Sequence, residues 1–436
     1  MKLADFIMFC VSDYGGQMRG KGFPAWELDK RLASGIGIAP TAMMITVFND
    51  IVASPWGSRG EILMQADPAT ETAIDRGDEP SERFFICDLT ELDGSPWDGC
   101  PRTWARRGLE ALAAETGLIL KSAFEHEFNY SGAEAIAGDG YLLDAMRVQG
   151  KFSHALLHAL ASCGIEPENY MPEYGSRQFE ITCRPALGLA AADRAVKLRE
   201  IARSIARAYG YRACFAPVME NGGVGNGVHL HYSLQTQDGT PVTYDASRPH
   251  NIGEAMGQFT AGVLRDLPSL VALTAASAVS YERMKPHRWS PTVTNLGLMD
   301  RESAIRICPI SGLPGSDPAK SANFEYRCCD AAASPYMVLG AVVWAGLQGI
   351  RDKLPAPEPT TADPETLSSE ERTRLGIRSL PHSLEAALEN LENSARAQDW
   401  LGPVLMEAYR VHKQSELKVL EGLSPDERIA RYVSVY

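Results

Sequence analysis

The chain has 436 residues, 45% of them apolar and 22% charged, a balance that supports a sizeable core and excludes disordered, collagen-like and coiled-coil chains. Asp and Glu outnumber Lys and Arg by 55 to 42, giving a net charge of −13 with no local basic patch, so nucleic acid and anionic membrane are not expected partners. The nine cysteines fall at irregular spacing without a CxxC pair, which argues against a disulfide framework or a zinc cluster and for a reducing cytoplasm.

The start, MKLADFIMFCVSDYGG, has no long apolar stretch, and no window approaches the roughly 20 apolar residues of a membrane span. Residues 1–100 predict a small β-rich domain of short strands and turns: FIMFCVSD, the glycine-rich YGGQMRGKGFP, AMMITVFNDIVA, EILMQAD and RFFICDLT. PWDGCP then punctuates the chain, and WARRGLEALAAETG predicts a helix capped by Gly117 that opens a larger domain over 101–436. Within it, helical periodicity runs through YLLDAMRVQGKFSHALLHALASCG, ALGLAAADRAVKLREIARSIARAYG, PYMVLGAVVWAGLQGI and SLEAALENLENSARA, between short β-like segments. The expected class is α+β. KLPAPEPTTADPETLSSEE reads as a long surface loop, and no internal repeat is present.

Four β-like segments carry ionisable residues at i and i+2, which a strand places on one face. They are Glu125 and Glu127 in KSAFEHEFNY; Gln178 and Glu180 in GSRQFEITC, with Glu173 just upstream; His229 and His231 in GNGVHLHYSL, followed by Ser233; and Glu325 and Arg327 in NFEYRCC. Apolar neighbours such as Phe124, Phe128, Phe179, Leu230 and Tyr326 should bury the opposite faces. Clustered carboxylates on a half-buried surface are costly unless cations neutralise them. Oxygen donors with an imidazole suit Mg²⁺ or Mn²⁺, and a pair of such ions implies phosphoryl transfer or hydrolysis. Arg283, Arg301, Arg306 and Arg327 add positive charge that a phosphate, a carboxylate substrate or structural acids would satisfy.

From about residue 8 to about residue 425 the sequence resembles the glutamine synthetase family. The resemblance runs in order through DYGGQMRGK, DGSPWDGCPR, FEHEF, PEYGSRQFEI, GNGVHLHYSL, SYERMKP, DRESAIRI, FEYRCCDAAASPY and GIRSLPHSLEAALENLE. It implies a β-grasp-like N-terminal domain and a catalytic domain built on a curved antiparallel sheet flanked by helices. It also implies homo-oligomeric stacked rings, a dodecamer by expectation, with active sites between subunits. Position by position, Glu127, Glu173 and Glu180 match the carboxylates of one metal, and Glu125, His229 and Glu325 the ligands of the other. Arg283 and Arg327 match the arginines that position L-glutamate, and Gly225 lies in the loop around its α-carbon. Arg301 and Arg306 match those that neutralise the transferring phosphate of ATP, and His231 and Ser233 match nucleotide contacts. The implied chemistry is transfer of the ATP γ-phosphoryl group to the glutamate γ-carboxylate, with catalytic parts for Arg301, Glu173 and Glu325.

The sequence departs from ammonia-using members at the segment after SYER. A glutamate is expected there, but the chain reads Pro286-His287-Arg288-Trp289-Ser290-Pro291. An N-terminal aspartate of the ammonium pocket is likewise missing from Leu32-Ala33-Ser34-Gly35-Ile36-Gly37, with no acid nearby. A pocket for a small cation needs negative charge, so the expected nucleophile is an organic amine, aromatic or weakly basic, as in γ-glutamylpolyamine and other γ-glutamylamide synthetases. Glutamine synthesis from ammonia, a noncatalytic assembly role and metal-dependent hydrolysis are the alternatives. The recognition loop, Val224-Gly225-Asn226-Gly227, lacks the usual amide before its glycine, which leaves a glutamate analogue open as the acid. ADPETLSSEE has no counterpart of the tyrosine that some relatives adenylylate.

Overall fold

The computed structural model describes residues 5–77, 79–136, 138 and 140–436. The N-terminal segment forms a mixed sheet from β1 (Phe6–Ser12), β2 (Met18–Pro24), β3 (Ile36–Ile38), β4 (Ile62–Ala66), β5 (Thr72–Arg76) and β6 (Glu79–Thr90), in the order β2-β1-β6-β4-β3 with β5 beside β6. β1 and β6 run parallel and the other pairs antiparallel. The expected strand over AMMITVFNDIVA is instead a 3-10 turn at Pro40–Met44 followed by a tight turn in which Thr46 N donates to Asp50 O (2.8 Å). Met43, Met44 and Val47 are buried all the same, so their apolar character reports packing without a ladder.

The second sheet carries β7 (Leu118–Tyr130), β8 (Pro167–Pro172), β9 (Gln178–Cys183), β10 (Ala186–Leu187), β11 (Ala213–Cys214), β12 (Val228–Thr236), β13 (Leu296–Leu298), β14 (Ile305–Ile307) and β15 (Phe324–Tyr326). Its main path is β13-β14-β15-β12-β7-β9-β8, antiparallel except between β13 and β14. Burial alternates strictly along β7: Leu118, Leu120, Phe124, His126, Phe128 and Tyr130 face the core, while Lys121, Glu125, Glu127 and Asn129 line the opposite face. Helices Ala190–Ala208, Glu254–Thr274 and Pro335–Arg351 cover the core side; Phe259 of the second packs its ring 5.6 Å from Tyr232 of β12. No described helix is long and apolar enough to cross a membrane.

The helix expected after PWDGCP spans Pro101–Thr116 and stops at Gly117, whose φ of 70° is the left-handed cap conformation that glycine adopts without a Cβ clash. Two expected single helices are each broken in two. Residues 141–164 form Leu143–Arg147 and Phe152–Ser162 around a turn at Gly150, and 383–397 divide at Asn393 and Ser394, where the Ser394 side chain caps the long helix Ala395–Val419. The Pro- and Thr-rich loop is anchored, since Thr360 N donates to Leu296 O on β13 (2.7 Å).

Two buried arginines join the sheets. Arg199 donates to Gly16 O and Ala331 O (both 2.8 Å), fixing the DYGG turn against the segment after β15. Arg102, 3% exposed, holds Asp67 (2.7 Å), Asp88 (3.0 Å) and Asp193 (2.9 Å) from the first sheet and the helix Ala190–Ala208. Removing one partner of a buried ionic cluster strands the others, so Arg102→Leu is expected to cost about 3–5 kcal/mol in urea unfolding. The exposed pair of Arg107 with Asp98 (2.8 Å) is the control, and Arg107→Leu should cost under about 1 kcal/mol.

Candidate active site

The solvent-side face of the second sheet assembles the site through cross-strand register. β7 pairs with β12 so that Glu125 lies opposite His229, and with β9 so that Glu127 lies opposite Glu180. β15 pairs with β12 and β14 so that Glu325 lies opposite both His231 and Arg306. Directly opposed side chains on one face are the closest neighbours a sheet offers, so ladder pairing converts four separate i, i+2 pairs into one cluster.

One half of the cluster is rich in counter-charge. His229 Nδ1 lies 3.3 Å from Glu125 Oε1 and 3.4 Å from Glu325 Oε1, and His231 Nε2 lies 3.1 Å from Glu125 Oε2. Ligand atoms of Glu125, His231 and Glu325 all fall within 4.8 Å of one another, so His231 stands among the carboxylates as closely as His229 does. Its Nδ1 meets Asn323 Oδ1 at 2.9 Å and the Cys308 thiol at 3.7 Å. Glu325 is 1% exposed and takes Arg306 Nη1 at 2.9 Å, together with Arg327 Nη1. Against the upward push of burial, Arg327, His229 and His231 hold the Glu325 carboxyl below the ordinary range. Burial and the Arg327 guanidinium bring His229 down to about 4. Ser233 continues the same face two residues beyond His231, opposite Lys121.

The other half has less of that compensation, with Arg283 acting on Glu127 and Arg301 on Glu173 only as minor influences. Glu127 accepts Gly227 N (2.9 Å), and Glu173 accepts Tyr174 N (3.1 Å) and the Tyr141 hydroxyl (3.4 Å), all neutral donors. Burial and the neighbouring Glu173 raise Glu127 to about 8; burial raises Glu173; and burial with Glu125 and Glu127 drives Glu180 far up. Three carboxyls that resist ionisation chiefly through burial and one another form a site whose chemistry fits a divalent cation, which would supply the missing positive charge.

The loop after Glu220 closes the cluster on one side. A Cβ at Gly225 would stand 2.2 Å from Arg283 Cγ, so glycine lets the loop lie directly on the arginine stem. Arg283 is buried and donates to Cys329 O (3.1 Å). Asn226, next to Gly225, braces the loop: it takes Gln178 Nε2 and gives Nδ2 to Asn129 Oδ1 and Ala216 O, while Asn221 is exposed.

Trp289 sits on a turn above the cluster, 58% exposed. Its carbonyl accepts Arg327 Nη2 (2.8 Å), and the Arg301 guanidinium lies 5.4 Å from its ring centroid in a cation-π contact. Arg327 and Arg301 therefore both meet this turn, although Arg301 is otherwise exposed. At the other departure the sequence reading needs correcting. An acid does lie near Ile36-Gly37, because a Cβ on Gly37 would stand 1.9 Å from Glu61 Oε1. Glu61 is distant in sequence and comes close only through the β3–β4 hairpin pairing. Sequence reasoning also missed Tyr141, Cys308 and Glu302, whose partners lie far along the chain or are main-chain amides.

Comparison with known proteins finds matches along nearly the whole chain. Residues 98–432 match the glutamine synthetase catalytic domain and residues 1–97 the glutamine synthetase N-terminal domain. A gamma-glutamylpolyamine synthetase of Streptomyces coelicolor is 31% identical, over 98% of this chain and 92% of its own length. The type-1 glutamine synthetase 1 of Dictyostelium discoideum is 30% identical over 81% of this chain and 72% of its own. Among solved structures, a novel glutamine synthase homolog superposes with a TM-score of 0.92 at 39% identity, covering 100% of this chain and 99% of the other. A GmaS/ADP complex follows at 0.82 and 25% identity, covering 98% and 96%. Both the small mixed sheet and the sheet that carries the carboxylates are thus matched along their length, and the chain belongs to the glutamine synthetase family of ATP-dependent ligases.

Proposed function

We propose that the protein joins the γ-carboxylate of L-glutamate to an organic amine, with ATP as phosphoryl donor. The observation that carries this reading is Trp289: the turn from Pro286 to Pro291 brings an indole and no carboxylate to the site, and that indole packs on Arg301. An apolar ring in place of an acid disfavours ammonium and leaves contact surface for a larger amine. The gamma-glutamylpolyamine synthetase of Streptomyces coelicolor supports the same class of nucleophile.

In this reading Glu127, Glu173 and Glu180 hold one divalent ion and Glu125, Glu325 and His229 or His231 another, with Mg²⁺ or Mn²⁺ as the candidates. Such ions would lower the repulsion between ATP phosphates and the glutamate carboxylate. Arg283 and Arg327 bind the glutamate. A γ-carboxylate oxygen attacks the ATP γ-phosphorus and ADP leaves; Arg301 and Arg306 offset the charge that builds on the transferring phosphoryl oxygens, and Ser233 contacts the nucleotide. The amine nitrogen then attacks the acyl carbon, phosphate departs, and the surplus proton passes to Glu173. Stacked rings of this chain, with each neighbour completing a site, are part of the proposal.

The acid Glu61 beside Gly37 favours one second reading, glutamine synthesis from ammonia, because it restores negative charge near the N-terminal segment. A panel decides: phosphate release from ATP with Mg²⁺ and L-glutamate against ammonium, methylamine, ethanolamine, putrescine, isopropylamine and aniline, with product mass. An organic amine turned over well above ammonium supports the proposal, and ammonium as best substrate overturns it.

A further inference from the structure

The turn that carries Trp289 is held in an unusual backbone. His287 and Trp289 both have positive φ, 58° and 52°, in the left-handed region that bulky side chains rarely occupy. Such a conformation persists only when the surroundings over-determine it. Here one carboxylate does so: Glu302 Oε2 accepts His287 N at 3.0 Å and Glu302 Oε1 accepts Trp289 N at 2.6 Å. Glu302 is itself set by its own N–H, which donates to Asp300 Oδ1 at 3.0 Å. The far side of the turn is tied by Arg327, which donates Nη2 to Trp289 O and Nε to Arg301 O (2.9 Å).

We infer that Glu302 is a positioning residue for the amine side of the site: its two oxygens fix the Trp289 turn and so set the indole against Arg301. Each oxygen is spent on one main-chain amide, so the carboxylate shapes the turn instead of offering a base to the amine. Glu302 thereby links the residue that selects the nucleophile, Trp289, with the residue just before it in sequence, Arg301. The inference rests on the proposed amine ligase for its kinetic consequence but not for its structural one.

The test compares wild type, Glu302→Ala and Glu302→Gln, each with a Trp289→Phe counterpart so that the emission of Trp289 among the seven tryptophans is obtained by difference. Glutamine keeps the volume but offers a single carbonyl oxygen and turns an NH₂ toward the second amide, so it tests the clamp without a cavity. Acrylamide quenching of Trp289 should rise about twofold in both variants if the clamp is lost, a readout independent of which amine is used. With the best amine of the panel, KM for the amine should rise about tenfold while kcat at saturation changes less than about threefold. In a Trp289→Ala background the same Glu302 substitutions should change amine KM less than about twofold. Unchanged quenching would overturn the clamp whatever the amine, and so would equal KM effects with and without the indole. A kcat loss near 100-fold at unchanged amine KM would instead make Glu302 a group that touches the reacting atoms. Ammonium as best substrate would defeat the proposed ligase alone, since the quenching and the KM for ammonium would still read the clamp.

Discussion

Glu325→Gln is expected to lower turnover by about 10²- to 10³-fold while the protein still folds. The carboxylate is 1% exposed and receives Arg306, Arg327 and the close approach of His229, so it is the most heavily contacted acid of the cluster. Glutamine retains its shape and removes its charge, leaving two guanidinium groups opposite a neutral amide. Breaking a buried pair from one side costs about 3–5 kcal/mol. Each 1.36 kcal/mol placed on a barrier is about tenfold in rate, so the stated loss corresponds to about 2.7–4.1 kcal/mol, most of that cost, reaching the reaction. Arg306 and Arg327 would also be freed to shift, which predicts a higher KM for glutamate through Arg327 and for ATP through Arg306. The measurement is initial-rate kinetics over both substrates, with thermal unfolding as the folding control. A variant that folds and turns over within threefold of wild type would remove Glu325 from the proposed site.

The sequence made one half of this cluster legible and hid the other. Alternation alone shows that Glu125 and Glu127 share a face, because the side-chain period of a strand is local. It cannot show that Glu127 stands opposite Glu180, or that Glu325 stands opposite both His231 and Arg306, because strand pairing joins residues tens to hundreds of positions apart. The family resemblance supplied that order, and the register between β7, β12 and β15 explains why the order matters. It did not distinguish His229 from His231 physically: both imidazoles reach Glu125, one through each carboxylate oxygen.

Other misreadings share a cause. Apolar density in AMMITVFNDIVA was real but served a 3-10 turn, since burial does not require a hydrogen-bonded ladder. Helical periodicity through 141–164 and 383–397 survived the breaks at Gly150 and Ser394, because Phe152–Ser162, Leu384–Glu392 and Ala395–Val419 each bury an apolar face, whereas Leu143–Arg147 buries only Ala145. Glu302 was the least legible. Its neighbours in DRESAIRI drew attention as phosphate-binding arginines, whereas its own partners are main-chain amides 13 and 15 residues earlier, which no side-chain pattern records. Glu61 was missed for the mirror reason: the missing acid was sought in the local segment, while the hairpin delivers one from across the strand pair.

Trp289→Glu is expected to turn the nucleophile preference toward ammonium, raising kcat/KM for ammonium about tenfold and lowering it for the best organic amine about 5- to 30-fold. A carboxylate about 4 Å from an ammonium ion gains about 4 kcal/mol at an effective dielectric near 20. The gain realised is smaller because ammonium gives up hydration and because Arg301, now stacked on the indole, would compete for the new charge. About 1.4 kcal/mol surviving those losses is a factor of ten. The amine side loses the indole contact, about 1–2 kcal/mol for an aromatic surface of this kind. Trp289→Gln separates the two effects: it removes the ring without adding charge, so it should weaken the organic amine by a similar factor and leave ammonium nearly unchanged. The turn itself should survive both substitutions, because its ties to Glu302 and Arg327 run through the main chain of residue 289 and not through its side chain. An amine profile that stays the same in Trp289→Glu, with the protein folded, would reduce the indole to a packing residue and overturn its part in choosing the nucleophile.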